Sequence, residues 1–243
     1  GDSRGVEVVL HSAADAAKAM TVPKGFTVRL AASEPDVVRP IGFALDDRGR
    51  LWVAEAHTYP RRAPEGQGRD RILILEDTNG DGRLDSRKVF IENLNLISGI
   101  EVGFGGVWVG AAPYLMFIPI KEGTDAPAGP PQILLDGWGY QDTHEMLNTF
   151  TWGPDGWLYG THGFNNESTM RGRDGSELKF QSGNTWRVRI DGLRVADASV
   201  KKAEGDAASI KLNAQAEAER TKMIAAAEAE RIARTYLERV HIP

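Results

Sequence analysis

A strand-turn-strand pattern recurs three times in this 243-residue sequence, and it restricts the possible folds more than any other feature. The copies are IGFALDDRGRLWVAE at 41–55, IEVGFGGVWVGA at 100–111 and FTWGPDGWLYGT at 150–161. Each has an apolar run, a glycine-containing turn and an aliphatic-aromatic run, the pattern of a β-hairpin. Trp52, Trp108 and Tyr159 align at intervals of about 50 residues, a period typical of the four-stranded blades of a β-propeller.

The pattern therefore predicts a mainly β protein with a partial β-propeller over 23–192. Further runs that predict strands include FTVRL at 26–30 and NTWRVRIDG at 184–192. This length holds about three blades, whereas closed propellers have about four to eight. We expect either that the exposed blade edges favour self-association or that the propeller part is truncated. Residues 1–22 form a separate N-terminal segment in which SAADAAKAM predicts a short helix.

The composition changes near residue 195, where alanine, glutamate, lysine and arginine become dominant. These are strong helix formers, so 193–243 is predicted to be one long helix. The pentapeptide AEAER recurs eleven residues apart, at 216–220 and 227–231, which is a hendecad spacing that keeps an apolar seam on one side. The interpretation that we favour is a coiled coil that self-associates through 200–240. The alternative is a solvated single helix.

Charge and cysteine content exclude several classes of function. The net charge of -5 gives no attraction to nucleic acid. The absence of cysteine excludes disulfides, thiolate metal sites and covalently attached haem. No apolar run reaches the roughly 18 residues of a transmembrane helix, so no transmembrane segment is expected.

The loop DTNGDGRLD at 77–85 is a candidate calcium site. Asp77, Asn79, Asp81 and Asp85 follow the oxygen-ligand spacing of an EF-hand loop, which predicts a metal site. Position twelve is Lys88 rather than a bidentate glutamate. The alternative is therefore a hairpin turn rich in Asp, Asn and Gly that needs no metal.

Three histidines follow or precede predicted strands and are the candidate functional residues. His144 lies just before a strand, close to Asp142 and Glu145, and a carboxylate could orient it as a general base. His162 and His57 each end a predicted strand and could line the same cavity. The alternative is that all three are ordinary loop histidines.

Several long motifs, in order, resemble a known family. They are TVPKGFTVRLAASEPDVVRPIGFALDDRGRLWVAEAHTYP, GRDRILILEDTNGDGRLDSRKVF, GIEVGFGGVWVGAAPYLMFIPI and WGPDGWLYGTHG. They resemble the bacterial membrane-bound dehydrogenase domain, a family of haem-binding-type propellers related to the quinoprotein glucose/sorbosone dehydrogenases. The resemblance implies a sugar or alcohol dehydrogenase that uses pyrroloquinoline quinone, in the periplasm or outside the cell.

The same resemblance assigns roles to the histidines. A histidine a few residues before an FGPDG.LY strand is the base of the related dehydrogenases, and His144 precedes FTWGPDGWLYG in that arrangement. His162 and His57 are then expected to contribute to the cofactor site. The later blades, which carry the family's cationic quinone-binding residues, do not occur in this sequence. The expected protein is therefore a dehydrogenase-like module that is incomplete as an enzyme.

The C-terminal segment resembles a different family. VKKAEGDAASIKLNAQAEAERTKMIAAAEAERIART, at 200–235, is similar to the helical segment of stomatin/prohibitin/flotillin (SPFH/band 7) proteins. The change near residue 195 is interpreted as a fusion. The alternative function is a non-catalytic scaffold or interaction protein that oligomerises through this helix.

Overall fold

The computed structural model of the protein describes residues 11–172, 174–180, 183–190 and 195–197. Within these residues the chain is mainly β, as predicted, and it forms several antiparallel sheets. The chain divides into two units, Gly1–Ala196 and Asp197–Pro243. Among the described residues, no helix has the length and apolar character needed to cross a bilayer.

The short N-terminal helix that the sequence predicts is α1, Ala13–Ala19. Ser12 is its N-cap, and its side-chain oxygen accepts a hydrogen bond of 3.2 Å from the backbone amide of Asp15. No residue of α1 is buried. The helix therefore depends on this cap and on the helix propensity of alanine rather than on packing.

Three four-stranded antiparallel sheets follow along the chain. Sheet I contains β1 (Pro40–Leu45), β2 (Leu51–Glu55), β3 (Asp70–Glu76) and β4 (Ser86–Leu94). Sheet II contains β5 (Gly99–Gly103), β6 (Gly106–Ala111), β7 (Tyr114–Pro119) and β8 (Gln132–Leu135). Sheet III contains β9 (Asn148–Trp152), β10 (Trp157–His162), β13 (Asn184–Arg189) and β14 (Val195–Asp197), and the hairpin of β11 (Ser168–Arg171) and β12 (Glu177–Phe180) is inserted after β10.

The three repeats of the sequence are the first hairpins of the three sheets. Trp52, Trp108 and Tyr159 each lie on the second strand of their sheet. The first strands lie side by side, β1 against β5 and β5 against β9. The period of about 50 residues thus corresponds to one four-stranded sheet per repeat.

Two sequence predictions are wrong in detail. The run at 26–30 forms no strand; Phe26 is 70% exposed, and alternation of apolar residues makes a strand only where another strand pairs with it. Residues Val195–Asp197, which fall inside the helix predicted over 193–243, form β14 beside β13. A β-branched residue next to an otherwise unpaired edge favours strand pairing over helix. Residues 198–243 of that predicted helix lie outside the described residues.

Two buried clusters join the sheets. One joins sheet I to sheet II and contains Trp52 and Ile72 together with Ile100 and Val109. The other joins sheet II to sheet III and is rich in aromatic rings. Its fully buried tryptophans are Trp108, Trp138 and Trp186. Large aromatic side chains bury much apolar area each, so these rings dominate the packing between sheets.

Gly160 on β10 is required by this aromatic packing. A Cβ atom there would lie 2.3 Å from the Trp186 ring, much closer than van der Waals contact allows. The residue pairs with Trp186 across the strands β10 and β13. The glycine therefore allows the Trp186 ring to lie flat against the sheet.

We expect Gly160→Ala to lower the free energy of unfolding by about 1–3 kcal/mol, because the added methyl group overpacks a buried ring. Gly129→Ala is the control, since a Cβ there meets no atom within 4 Å. Urea denaturation of both variants tests this. Equal midpoints for the two variants would show that Trp186 moves aside without loss of packing.

Candidate functional site

The first strands of the three sheets enclose a cavity at the ends where they begin. Its volume is about 620 Å³. Three short segments form the wall, namely the start of β1, the start of β5, and the residues before and within β9. The lining residues are Pro40, Ile41, Gly42, Phe43, Ser98, Gly99, Ile100, Thr143, His144, Met146, Asn148, Thr149 and Phe150.

The wall combines apolar surface with a few uncharged polar groups. Phe43, Ile100 and Phe150 supply apolar surface, and Asn148 and Thr149 supply amide and hydroxyl groups. Among the described residues that line the cavity, none is an aspartate, glutamate, lysine or arginine. Such a wall suits an uncharged ligand that has both hydroxyl and apolar faces.

His144 is the titratable side chain of this wall, and Asp142 orients it. The Nδ1 atom of His144 lies 2.9 Å from Oδ1 of Asp142, and the same oxygen accepts a bond of 3.0 Å from the His144 backbone amide. The His144 side chain is 75% exposed, and the Tyr59 ring stands edge-on to it at 5.8 Å. The imidazole is thus fixed on one side and open on the other.

Asp142 is itself held in place by two asparagines. Asn165 Nδ2 lies 3.3 Å from Asp142 Oδ2. The buried Asn166 accepts from the Asp142 backbone amide at 2.8 Å and donates to the backbone oxygens of Asp142 and Glu145 at 2.9 Å. The His144 backbone amide, the His144 side chain and Asn165 hold the pKa of Asp142 below its ordinary value.

These contacts determine the tautomer of His144. Because the pKa of Asp142 is lowered, this group is a carboxylate at neutral pH, and a carboxylate can only accept hydrogen bonds. Nδ1 of His144 therefore carries a proton, and the lone pair of the neutral ring lies on Nε2. This is the arrangement that a general base requires.

Thr149, on the wall beside His144, has an unusual backbone conformation. Its φ is 53°, in the left-handed region that a β-branched residue rarely adopts. Its hydroxyl donates a bond of 2.8 Å to the side-chain oxygen of Asn148. Backbone conformations of this kind are concentrated at ligand-binding and active sites.

His162 is not among the residues that line the cavity. It is 3% exposed, and its Nε2 atom lies 2.9 Å from the hydroxyl of Ser168. Burial lowers the pKa of His162 against the opposing effect of Glu145, so the ring is neutral at pH 7. Its Nδ1 atom has no hydrogen-bond partner among the described residues.

His57 also lies outside the cavity lining and is part of a buried ionic network. Its Nε2 atom lies 3.0 Å from the carboxylate of Glu55, which is fully buried. Arg71 Nε and the backbone amide of Val38 bond the same carboxylate. Burial raises the pKa of Glu55, but the bonds from Arg71, His57 and Val38 outweigh burial and leave it below its ordinary value. Glu55 thus joins β2 to β3 and to the segment before β1, and His57 bonds this central carboxylate.

The predicted calcium loop binds its own backbone. Asp77 accepts from the amides of Gly80 and Gly82 at 2.7 and 2.8 Å, and Asp85 accepts from Thr78 at 2.9 Å. No group of three or more possible metal-ligating side chains occurs among the described residues. The side chains of Asn79 and Asp81 likewise accept from nearby amides of the turn. Calcium binding by this loop stays a prediction.

Part of the site was visible in the sequence. The neighbourhood of His144 and Asp142 follows from their spacing. The roles of Asn166 and Ser168 were missed, because each contacts residues that lie far away in the chain or on another strand. Thr149 gave no signal, since nothing in its local sequence indicates a positive φ.

Comparison with known proteins identifies the family. Residues 12–218 match a family described as a domain of unknown function, DUF7133, and because the match covers most of the chain, the chain belongs to this family. The matched range continues beyond the composition change near residue 195. A search of curated proteins finds no match.

One solved structure that is similar to this chain is a luciferin-regenerating enzyme. The identity is 9%, the TM-score is 0.40, and the alignment covers 66% of this chain and 59% of that structure. The chain thus spans less than two thirds of the length of this structure.

We expect Glu55→Gln to lower the free energy of unfolding by about 1–3 kcal/mol at pH 7, because Arg71 and His57 lose a buried charged acceptor. The folded-state pKa of Glu55 lies below its ordinary value of 4.5, so its stabilisation is present above that value and is lost as the pH falls through the folded-state pKa. Urea denaturation at pH 7 and in acid should therefore show a difference from wild type that narrows in acid.

The matched control is Glu65→Gln. Glu65 also pairs with an arginine, but its side chain is 83% exposed, so the expected change is below about 0.5 kcal/mol. An equal decrease in the free energy of unfolding in both variants would contradict the structural role of Glu55.

Proposed function

We propose that the three sheets are consecutive blades of a partial β-propeller, and that the cavity where they meet is the site of dehydrogenase-like chemistry on a sugar or alcohol. Two features support the propeller arrangement. Each sheet is built from strands paired antiparallel, with one hairpin plan repeated in all three. The first strands β1, β5 and β9 lie next to one another, as innermost strands around a propeller axis do.

The observation that carries the chemical proposal is His144 on the cavity wall, with its Nδ1 atom bonded to Asp142 outside the lining. Oxidation of an alcohol requires that a base remove the hydroxyl proton while hydride passes from the adjacent carbon to an electron acceptor, here a soluble acceptor taken from solution. Nε2 of His144 is the acceptor of that proton. Asp142 keeps the ring in the required tautomer and stabilises the positive charge that the ring gains.

The wall supplies groups that suit such a substrate. Asn148 and Thr149 can bond hydroxyl groups, and the rings of Phe43 and Phe150 can pack against carbon-bound hydrogens. The uncharged lining matches a neutral sugar or alcohol better than a charged metabolite.

The residues present do not fit the quinone that the dehydrogenase resemblance implies. Pyrroloquinoline quinone carries three carboxylates, which need cationic partners in a binding site. Among the described residues that line the cavity there is no lysine or arginine. The proposed role of this chain is therefore to bind the substrate hydroxyl and to accept its proton while hydride passes to a separate soluble electron acceptor.

A second candidate function is a non-catalytic interaction module. Phe43 and Leu45 are 69% and 62% exposed and occupy alternate positions of β1, and Ile41, at the register shift near the start of the same strand, is 46% exposed. A contiguous apolar stripe of this kind is typical of an interaction surface. Oligomerisation through the predicted C-terminal helix belongs to the same candidate and lies outside the described residues.

We expect D-glucose or a related polyol to shift the imidazole Cε1 proton signal of His144 in NMR titrations, because the hydroxyl binds at Nε2. His144→Gln should weaken this binding about tenfold, the loss expected for a hydrogen bond to a key polar group. In an oxidation assay with a soluble dye as the electron acceptor, His144→Gln should lower any turnover by a factor of about 100 or more. Asp142→Asn should retain the ring but lose the tautomer preference, with a smaller loss of binding.

His11→Gln is the control, since His11 is exposed and belongs to the N-terminal segment. A His144 signal that stays unchanged up to tens of millimolar of each polyol would overturn the proposal. Turnover that survives His144→Gln would assign the base to another group.

A further inference from the structure

The junction between sheets I and II is formed by the first strand of sheet II and the second strand of sheet I. Ile100 and Val102 lie on β5, the first strand of sheet II. Ile100 belongs to the same buried cluster as Trp52, on the second strand of sheet I, and the partly buried Val102 packs against this cluster. The first strand of one sheet thus presents an apolar pair to the second-strand aromatic residue of the preceding sheet.

The junction between sheets II and III has the same arrangement, with the first strand of sheet III packed on the second strand of sheet II. Phe150 and Trp152 lie on β9, the first strand of sheet III, and pack in the cluster of Trp108. The rings of Trp108 and Trp152 are 5.4 Å apart and nearly perpendicular. Trp152 Nε1 also donates a bond of 3.1 Å to the backbone oxygen of Val102.

Strand register shows that sheet I has the same apolar pair. Ala44 pairs with Trp52, Glu101 with Trp108, and Thr151 with Tyr159. The residues on either side of these partners are therefore equivalent in the three sheets. They are Phe43 and Leu45 in sheet I, Ile100 and Val102 in sheet II, and Phe150 and Trp152 in sheet III.

Burial differs sharply between these equivalent positions. Ile100 and Phe150 are 4% and 8% exposed, because a preceding sheet covers them. Phe43, in the equivalent position of sheet I, is 69% exposed, and Leu45 is 62% exposed. The first strand of sheet I thus carries a sheet-packing pair that no sheet of the described residues covers.

Sheet III carries the matching half of the junction. Tyr159 occupies the position of Trp52 and Trp108, and it lies on the face that points away from sheet II. Beside it, the Arg187 guanidinium lies 4.3 Å from the Trp157 ring. Asp155 accepts from the Tyr159 hydroxyl at 2.8 Å and from Arg187 at 3.2 Å. The face presents aromatic surface on which the Tyr159 hydroxyl and one Arg187 nitrogen are already bonded to Asp155.

We propose that sheet III of a second copy of this chain packs on Phe43 and Leu45 of sheet I, with Tyr159 of that copy in the role of Trp52 and Trp108. Each copy has both halves of the junction, so two copies related by a two-fold axis satisfy both faces and the association closes. The described residues of two copies supply six four-stranded sheets, a number within the range of about four to eight that closed propellers have.

The second copy also completes the candidate site. Ile41 and Phe43 line the cavity and belong to the exposed stripe. Sheet III of the partner would therefore form the wall of the cavity on the side of β1. This proposal rests on the equivalence of the three sheets and not on the chemistry proposed for His144, so either one can fail alone.

Cross-linking between engineered cysteines tests the pairing, because the natural chain contains no cysteine. Leu45 and Tyr159 are the equivalents of Trp152 and Trp108, so Leu45→Cys and Tyr159→Cys should lie within reach of a short bismaleimide across the interface. We expect a covalent dimer when the two full-length variants are mixed, and none from either variant alone. Phe164→Cys replaces Leu45→Cys in the control mixture, since Phe164 is 68% exposed and lies on neither face.

A dimer from Leu45→Cys alone would mean that sheet I packs on sheet I, and it would overturn the proposal. The proposal would also be overturned if the mixture of Leu45→Cys and Tyr159→Cys gave no cross-link, or if the control mixture with Phe164→Cys cross-linked equally well. Sedimentation equilibrium gives a second readout. Wild type should have twice the chain mass, and Leu45→Asp should raise the dimer dissociation constant about tenfold or more, whereas Phe164→Asp should not.

A wild-type monomer at all concentrations would also overturn the proposal, because the face is then open or covered by another part of the same chain. A larger oligomer that Leu45→Asp leaves intact would do the same and would favour association through the C-terminal segment. If the protein is a monomer and polyol still shifts its His144 imidazole signal, only the dimer proposal is rejected. The chemistry proposed for His144 would then stand.

Discussion

Aromatic packing between neighbouring sheets is the interaction on which the rest of this domain depends. Each sheet is antiparallel and has two faces, so it must bury apolar surface against another sheet to be stable. Trp52 and Trp108 perform this role at the two junctions, and Trp186 fills the interior of sheet III. Glycines such as Gly160 allow the rings to approach the backbone closely. Position and orientation of the three first strands follow from this packing.

The candidate site is a consequence of the same arrangement. The cavity lies where the starting ends of the first strands β1, β5 and β9 come together. His144 reaches it from the segment before β9, and Asn166, more than 20 residues later, fixes that segment through backbone bonds. The inserted hairpin of β11 and β12 contributes to this support, since Ser168 at its start bonds His162. The polar network is thus built on the outside of the aromatic core.

Much of the sheet structure could be predicted from the sequence, and the site could be predicted only in part. The hairpins were visible because alternation and glycine turns are local signals. The run at 26–30 had the same local signal but forms no strand, since no other strand pairs with it. His57, His144 and His162 looked alike in the sequence. Their surroundings differ in the folded protein. His57 bonds the buried carboxylate of Glu55, the exposed His144 bonds Asp142, and the buried His162 bonds the Ser168 hydroxyl.

The sequence by itself determined the repeat of about 50 residues, the aromatic residue on each second strand and the apolar pair on each first strand, because side-chain alternation is a property of the strand alone. Only the tertiary structure decided which of these pairs is buried, since burial depends on whether another sheet lies opposite. It also decided that His144 faces a cavity while His162 is enclosed in the protein interior. The chemistry that is open to a histidine depends on its neighbours in space, and the sequence alone does not specify these neighbours.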